Sequence, residues 1–174
     1  RHTKVLKRLR TSGLSDAGLL IGIILPSVVV ALVQLVLFAV IDVLADIPLP
    51  IDALPVIFAV VGGIVLSIAA ALATTIVTAN PERAQITTLP LTFLLLGAGI
   101  VMLMLPDDGW WRLLVALPGA AVGELVRLSY FGGTWDVSSF GLPAALPALI
   151  ALVAWPVVFA IAARRRFRWD DRVQ

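Results

Sequence analysis

The chain has 174 residues, of which 60% are hydrophobic and 14% charged, whereas ordinary globular domains carry about 25% charged residues. A soluble domain of this size has too much surface to hide so many apolar side chains, and a bilayer removes the conflict by acting as an apolar solvent. The net charge of +2 is small, and the absence of Cys excludes disulfides, thiolate metal sites and thiol nucleophiles.

The first segment is basic. Val5, Leu6 and Leu9 recur at helical spacing, with Lys4, Lys7, Arg8 and Arg10 on the other side. This predicts a short amphipathic helix at a membrane interface. Gly13 breaks it, and Ser15 is placed to cap the first long apolar run. Such a helix serves either as a lipid-headgroup anchor or as a docking element for a cytosolic partner. The chain starts on Arg1 rather than Met, so a longer parent chain is expected.

Four stretches are then long and apolar enough to span, at about 17–41, 54–79, 84–105 and 143–163. A spanning helix needs about 20 mostly apolar residues. Backbone groups in hydrocarbon must be paired within the segment, which makes these helices, and the runs lack the alternation of barrel strands. The first run is too long for the apolar part of a signal peptide. Its Gly18 and Gly22 form a G-x-x-x-G pair, and the second span repeats the small-residue spacing at Gly63 and Ser67 and at Ala69 and Ala73. Small residues at that interval allow close helix approach. Gln34 lies near the centre of the first span, and Gln85, Thr87, Thr88 and Thr92 line one half of the third, with Pro90 among them. Gln34, Thr87, Thr88 and Thr92 are candidates for a substrate path; interhelical hydrogen bonding explains the same residues. Pro26 and Pro156 are expected kinks.

The connection from about Pro106 to Leu142 is too apolar for a plain loop. Trp110 and Trp111 suit an interfacial aromatic belt. Trp111 to Leu117 and Ala120 to Tyr130 read as two short helices divided by Pro118-Gly119. Glu124 and Arg127 are three apart and share a face. The pair is expected at the outer leaflet, either re-entrant or lying on the interface.

Orientation follows from Lys and Arg. Eleven of the 13 basic residues flank the first span's start, the short link at Arg83 and the tail at Arg164, Arg165, Arg166, Arg168 and Arg172. The other two, Arg112 and Arg127, share their loop with Asp107, Asp108, Glu124 and Asp136. Both ends of the chain are therefore expected in the cytoplasm.

Several chemistries are excluded. A Walker A loop needs Lys beside a Gly-rich turn, and neither Lys4 nor Lys7 follows one. No His, Cys or carboxylate cluster suits a metal. No span holds an ionisable residue in its middle, which argues against proton coupling, because a charge there costs roughly 2.5–3.5 kcal/mol and survives only for a use. Nothing points to nucleic acid.

In order, these features resemble the C-terminal two-thirds of the type-2 ABC exporter permeases. The stretch Lys4-Val5-Leu6-Lys7-Arg8-Leu9-Arg10-Thr11-Ser12-Gly13-Leu14-Ser15 is similar to that family's cytoplasmic segment before the third of six spans, with Gly13 where the family usually has Pro. Gly22, Leu25, Pro26 and Gln34 match the family's pattern in the third span, and Gly97, Pro106, Pro118 and Arg127 match its later part, with Leu96 in place of a Ser. The resemblance implies an all-α integral membrane protein forming a single permease domain over 1–174 that lacks two N-terminal spans. It further implies a second permease half, and cytosolic ATPase subunits that carry the ATP and Mg, with no cofactor in this chain. Leu6, Lys7, Arg8, Leu9 and Arg10 would lie at the ATPase contact. An ATP-driven exporter of drug-like, lipid or polysaccharide substrates in the bacterial plasma membrane is the function implied. The alternatives are an ion-coupled or passive transporter subunit and, further off, a membrane-embedded enzyme or scaffold.

Overall fold

The computed structural model describes residues 16–75, 81–106, 109–137 and 141–166. The regular elements in them are all helical: α1 (Asp16–Leu44), α2 (Ala53–Thr74), α3 (Pro81–Met104), a 3-10 helix (Trp110–Ala116), α4 (Ala120–Phe131) and α5 (Leu146–Arg166). The basic segment at Lys4–Arg10 and the tail beyond Arg166 lie outside the described residues. The chain forms two bodies that divide between Leu49 and Pro50.

The first body is α1, 29 residues long, about 43 Å at 1.5 Å per residue. It reaches three residues further than the apolar run suggests. It ends where Asp46 turns left-handed at φ 56°, and the amide of Ile47 donates to the Asp42 carbonyl at 2.9 Å. This is a C-cap conformation that Asp tolerates better than most residues.

In the second body, α2, α3 and α5 are each long and apolar enough to cross a membrane, as is α1 in the first. The Asp52 carboxylate caps α2 by accepting from the Leu54 amide at 3.0 Å. Among the described residues the helix runs to Thr74, and positions 76–79 of the expected span lie outside them. The Thr74 and Thr75 hydroxyls donate to the carbonyls of Ala71 and Leu72 at 2.7 and 2.6 Å, a local pairing that competes with helix continuation. α5 starts at Leu146 rather than 143, because Pro143 and Ala144 belong to the entry turn: the Leu146 amide donates to the Pro143 carbonyl at 3.0 Å.

The core is built around α4. Leu125 and Leu128 on it are buried with Ala59 of α2, Met102 of α3, and Ala148 and Leu152 of α5. A short element from the connection is therefore the centre of the second body, with the three long helices packed about it. Their outer faces, such as Leu54, Val61 and Val65 on α2 and Ile150, Val153 and Val157 on α5, are exposed. That arrangement suits lipid or further protein around an apolar bundle.

Candidate functional site

The connection between α3 and α5 is a hairpin that folds back among the long helices. Its first limb is the 3-10 helix. Its seven residues, Trp110–Ala116, are too few for a stable α-helix. Its second limb is α4, and Leu117-Pro118-Gly119 make the tip.

Three contacts fix how deep the tip lies. Gly119 sits against the backbone of Leu95, nine residues before the end of α3, or about 13 Å along the axis. Gly123 sits against the backbone of Gly99, four residues higher on both helices. The Trp155 indole, nine residues into α5, donates to the Ala116 carbonyl at 2.7 Å. At the other end of α4 the Asp52 amide donates to the Ser129 carbonyl at 3.1 Å. So α4 runs from mid-height to the end of the bundle where α2 begins and α3 finishes. The tip's distance of about 13 Å along α3 is nearly half of a hydrocarbon core of about 30 Å, so the connection folds back among the long helices as a re-entrant segment would.

Such depth demands a backbone that fits closely. Gly119 has φ 92°, a conformation that suits Gly alone, and a Cβ there would collide with Leu95. A Cβ on Gly123 would collide with Gly99. Gly119 and Gly123 thus form a G-x-x-x-G pair of their own, in addition to the pairs singled out in the spans. The four-residue spacing was the signal that could have found it.

The hairpin carries charge into this setting. Arg127 donates to Glu124 through Nε and one terminal nitrogen, both at 3.0 Å, and Arg112 on the other limb donates to the same carboxylate at 2.7 Å. Glu124 and Arg127 are 5% and 8% exposed. The carboxylate thus bridges the two limbs with charge-assisted bonds, the stronger kind. The shared face of Glu124 and Arg127 was legible in the sequence; the third member, Arg112, was not.

The other residues singled out are spread over the fold. Pro118 is buried in the hairpin tip, while Pro106 is exposed where α3 has ended. A Cβ on Gly63 would lie 3.5 Å from the Val122 side chain of the hairpin, and the Ser67 hydroxyl donates back to the Gly63 carbonyl at 2.8 Å. The neighbouring Gly62, not singled out, packs against Leu152 of α5. On α1, a Cβ at Gly22 would meet nothing within 4 Å, and Gln34 is exposed; Gly18 is half-buried. Thr87 and Thr88 are half-buried and Thr92 is exposed, its hydroxyl donating to the Thr88 carbonyl at 3.0 Å. A shallow apolar cavity of about 280 Å³ opens sideways between α3 and the 3-10 helix, lined by Phe93, Leu94, Gly97, Ala98, Val101, Leu114 and Leu117. The three threonines are not among its lining residues.

Long apolar helices packed around a charged, inward-folded hairpin define a polytopic helical membrane protein. Residues 1–165 match the model of the ABC-2 family of transporter proteins, and the chain belongs to that family: it is a type-2 ABC transporter permease, a membrane transport component that is not itself catalytic. Comparison with curated proteins and with solved structures gave no match.

Proposed function

We propose that this permease exports its substrate, with ATP bound and hydrolysed on a separate cytosolic subunit and a second permease half completing the pathway. The observation that carries the reading is the family match across nearly the whole chain. The spans support it, since none holds an ionisable residue in its middle. The buried Glu124 carboxylate is engaged by two guanidinium groups that tie the hairpin limbs together, which gives it a structural role. Work done by these helices is then powered from outside the chain, through alternation between two packings.

In this reading the basic segment Leu6, Lys7, Arg8, Leu9 and Arg10 docks on the ATPase, and both ends of the chain face the cytoplasm of a bacterial cell. The hairpin opens to the opposite side. The basic residues favour this orientation, because 11 of 13 flank the ends assigned to the cytoplasm. Apolar walls with Thr and Gln suit an amphipathic drug or a lipid, and polysaccharide is a class that only the family resemblance adds.

The test is co-purification of the full-length permease with its ATPase, together with transport into inverted vesicles. Reversing charge at Lys7, Arg8 and Arg10 is expected to cut the recovered ATPase by tenfold or more. An undiminished complex overturns the docking role. Transport that persists without ATP and follows an ion gradient overturns the ATP-driven reading in favour of an ion-coupled carrier.

A further inference from the structure

We propose that Trp155 is a positioning residue for transport: it straps the hairpin tip to α5, so that the two move as one body. This rests on the chain being a transporter permease and not on its direction or energy source.

The argument begins with the carbonyls at the tip. The Leu117 amide takes the Leu114 carbonyl at 2.9 Å, the Ala120 amide takes that of Leu117 at 3.2 Å, and the Val122 amide takes that of Gly119 at 3.1 Å. Pro118 has no N–H to give. The Ala116 carbonyl is instead met by the Trp155 indole N–H at 2.7 Å, from a residue 39 positions away. Ala116 is exposed on the outside of the bundle, and if that face meets lipid rather than water an unmet carbonyl there is costly.

The donor sits beside a proline in its own helix. Pro156 follows Trp155 inside α5, and its ring leaves the Leu152 carbonyl without the usual helical partner. Helices bend at such points. The Trp155 ring packs against Phe159 at a centroid distance of 5.6 Å, and the two residues straddle the proline. A bend in α5 at Pro156 must therefore carry Ala116 with it or break the bond. The other side of the tip is different in kind: Gly119 and Gly123 meet α3 through backbone alone. The directional side-chain bond at the tip goes to α5.

The experiment uses the full-length permease with its partner subunits in lipid nanodiscs, in a Cys-free background. Spin labels replace Leu113 on the 3-10 helix and Ile161 on α5, both exposed, and pulsed EPR reads their separation with and without a non-hydrolysable ATP analogue. One narrow population is expected under both conditions in the wild type. Trp155→Phe, which keeps a ring and loses the donor, is expected to add a second, longer population. The ratio of detached to attached tips should rise roughly fivefold, as for one typical hydrogen bond, and the transport rate should fall with it. A second variant replaces Trp155 by its benzothiophene isostere, which keeps the shape and loses the N–H; it should behave as Trp155→Phe does. An isostere that behaves as wild type shows that ring packing holds the tip and overturns the strap. So does a wild-type distance that shifts with nucleotide, or a Phe variant whose distances are unchanged.

Discussion

Glu124 holds two guanidinium groups in a part of the chain packed among apolar helices. Removing one partner from a buried ion group leaves the others uncompensated, and typical losses are about 3–5 kcal/mol. Glu124→Gln keeps the shape and removes the charge, so its stability in mixed micelles, read from the midpoint of unfolding, is expected to fall by that order. Replacing all three charges, with Arg112→Met and Arg127→Met added to Glu124→Gln, should recover part of the loss, because no lone charge is then left behind. A triple variant as unstable as the single one would show that the ions act through other contacts. The triad also explains how a hairpin bearing charge enters the bundle. Each guanidinium alone would favour the interface, and the shared carboxylate links the 3-10 limb to α4.

At the scale of elements, glycine separates close contact from open space. Gly123 of α4 lies against the backbone of Gly99, whereas a Cβ on Gly97 would meet nothing within 4 Å. Backbone cannot yield as a side-chain end can, so Gly123→Ala is expected to cost more than the roughly 1–3 kcal/mol of ordinary overpacking. Gly97→Ala should stabilise α3 by roughly 0.5–1 kcal/mol, the usual gain inside a helix. Unfolding of the two variants side by side checks the contrast, and equal effects would contradict the packing of α4 on α3. The same residues show what the sequence made legible. The long helices announce themselves by continuous apolar runs, and Pro118-Gly119 marks the division between the hairpin limbs. The depth of the hairpin stayed hidden. Glu124 and Arg127 read only as a pair sharing a helix face until Arg112, 12 residues from Glu124, is placed beside them. Likewise Trp155 and Ala116 are joined only by the tertiary fold. Local spacing identifies helices and faces; it does not say which distant carbonyl or carboxylate a side chain will meet.

For the whole molecule the consequence is a topology that differs from a count of spans. The connection enters and leaves at one end of the bundle, so its two flanks and its tip should differ in access even though no span separates them. The absence of Cys from these 174 residues makes this measurable by placing one Cys at a time. An impermeant maleimide added from outside the cell is expected to label Val137→Cys, in the return loop, and to miss Thr75→Cys, at the opposite end of α2. Leu117→Cys, at the hairpin tip, should resist the reagent from either side of the membrane, because it lines an apolar cavity against α3 about 13 Å from that helix's end. A surface helix pair would instead expose positions 117 and 137 alike. Equal labelling of those two sites would therefore place the connection on the interface and remove the setting in which the Glu124 triad and the Trp155 bond have their strength. Labelling of Thr75→Cys in place of Val137→Cys would leave the hairpin intact and invert the direction in which it opens.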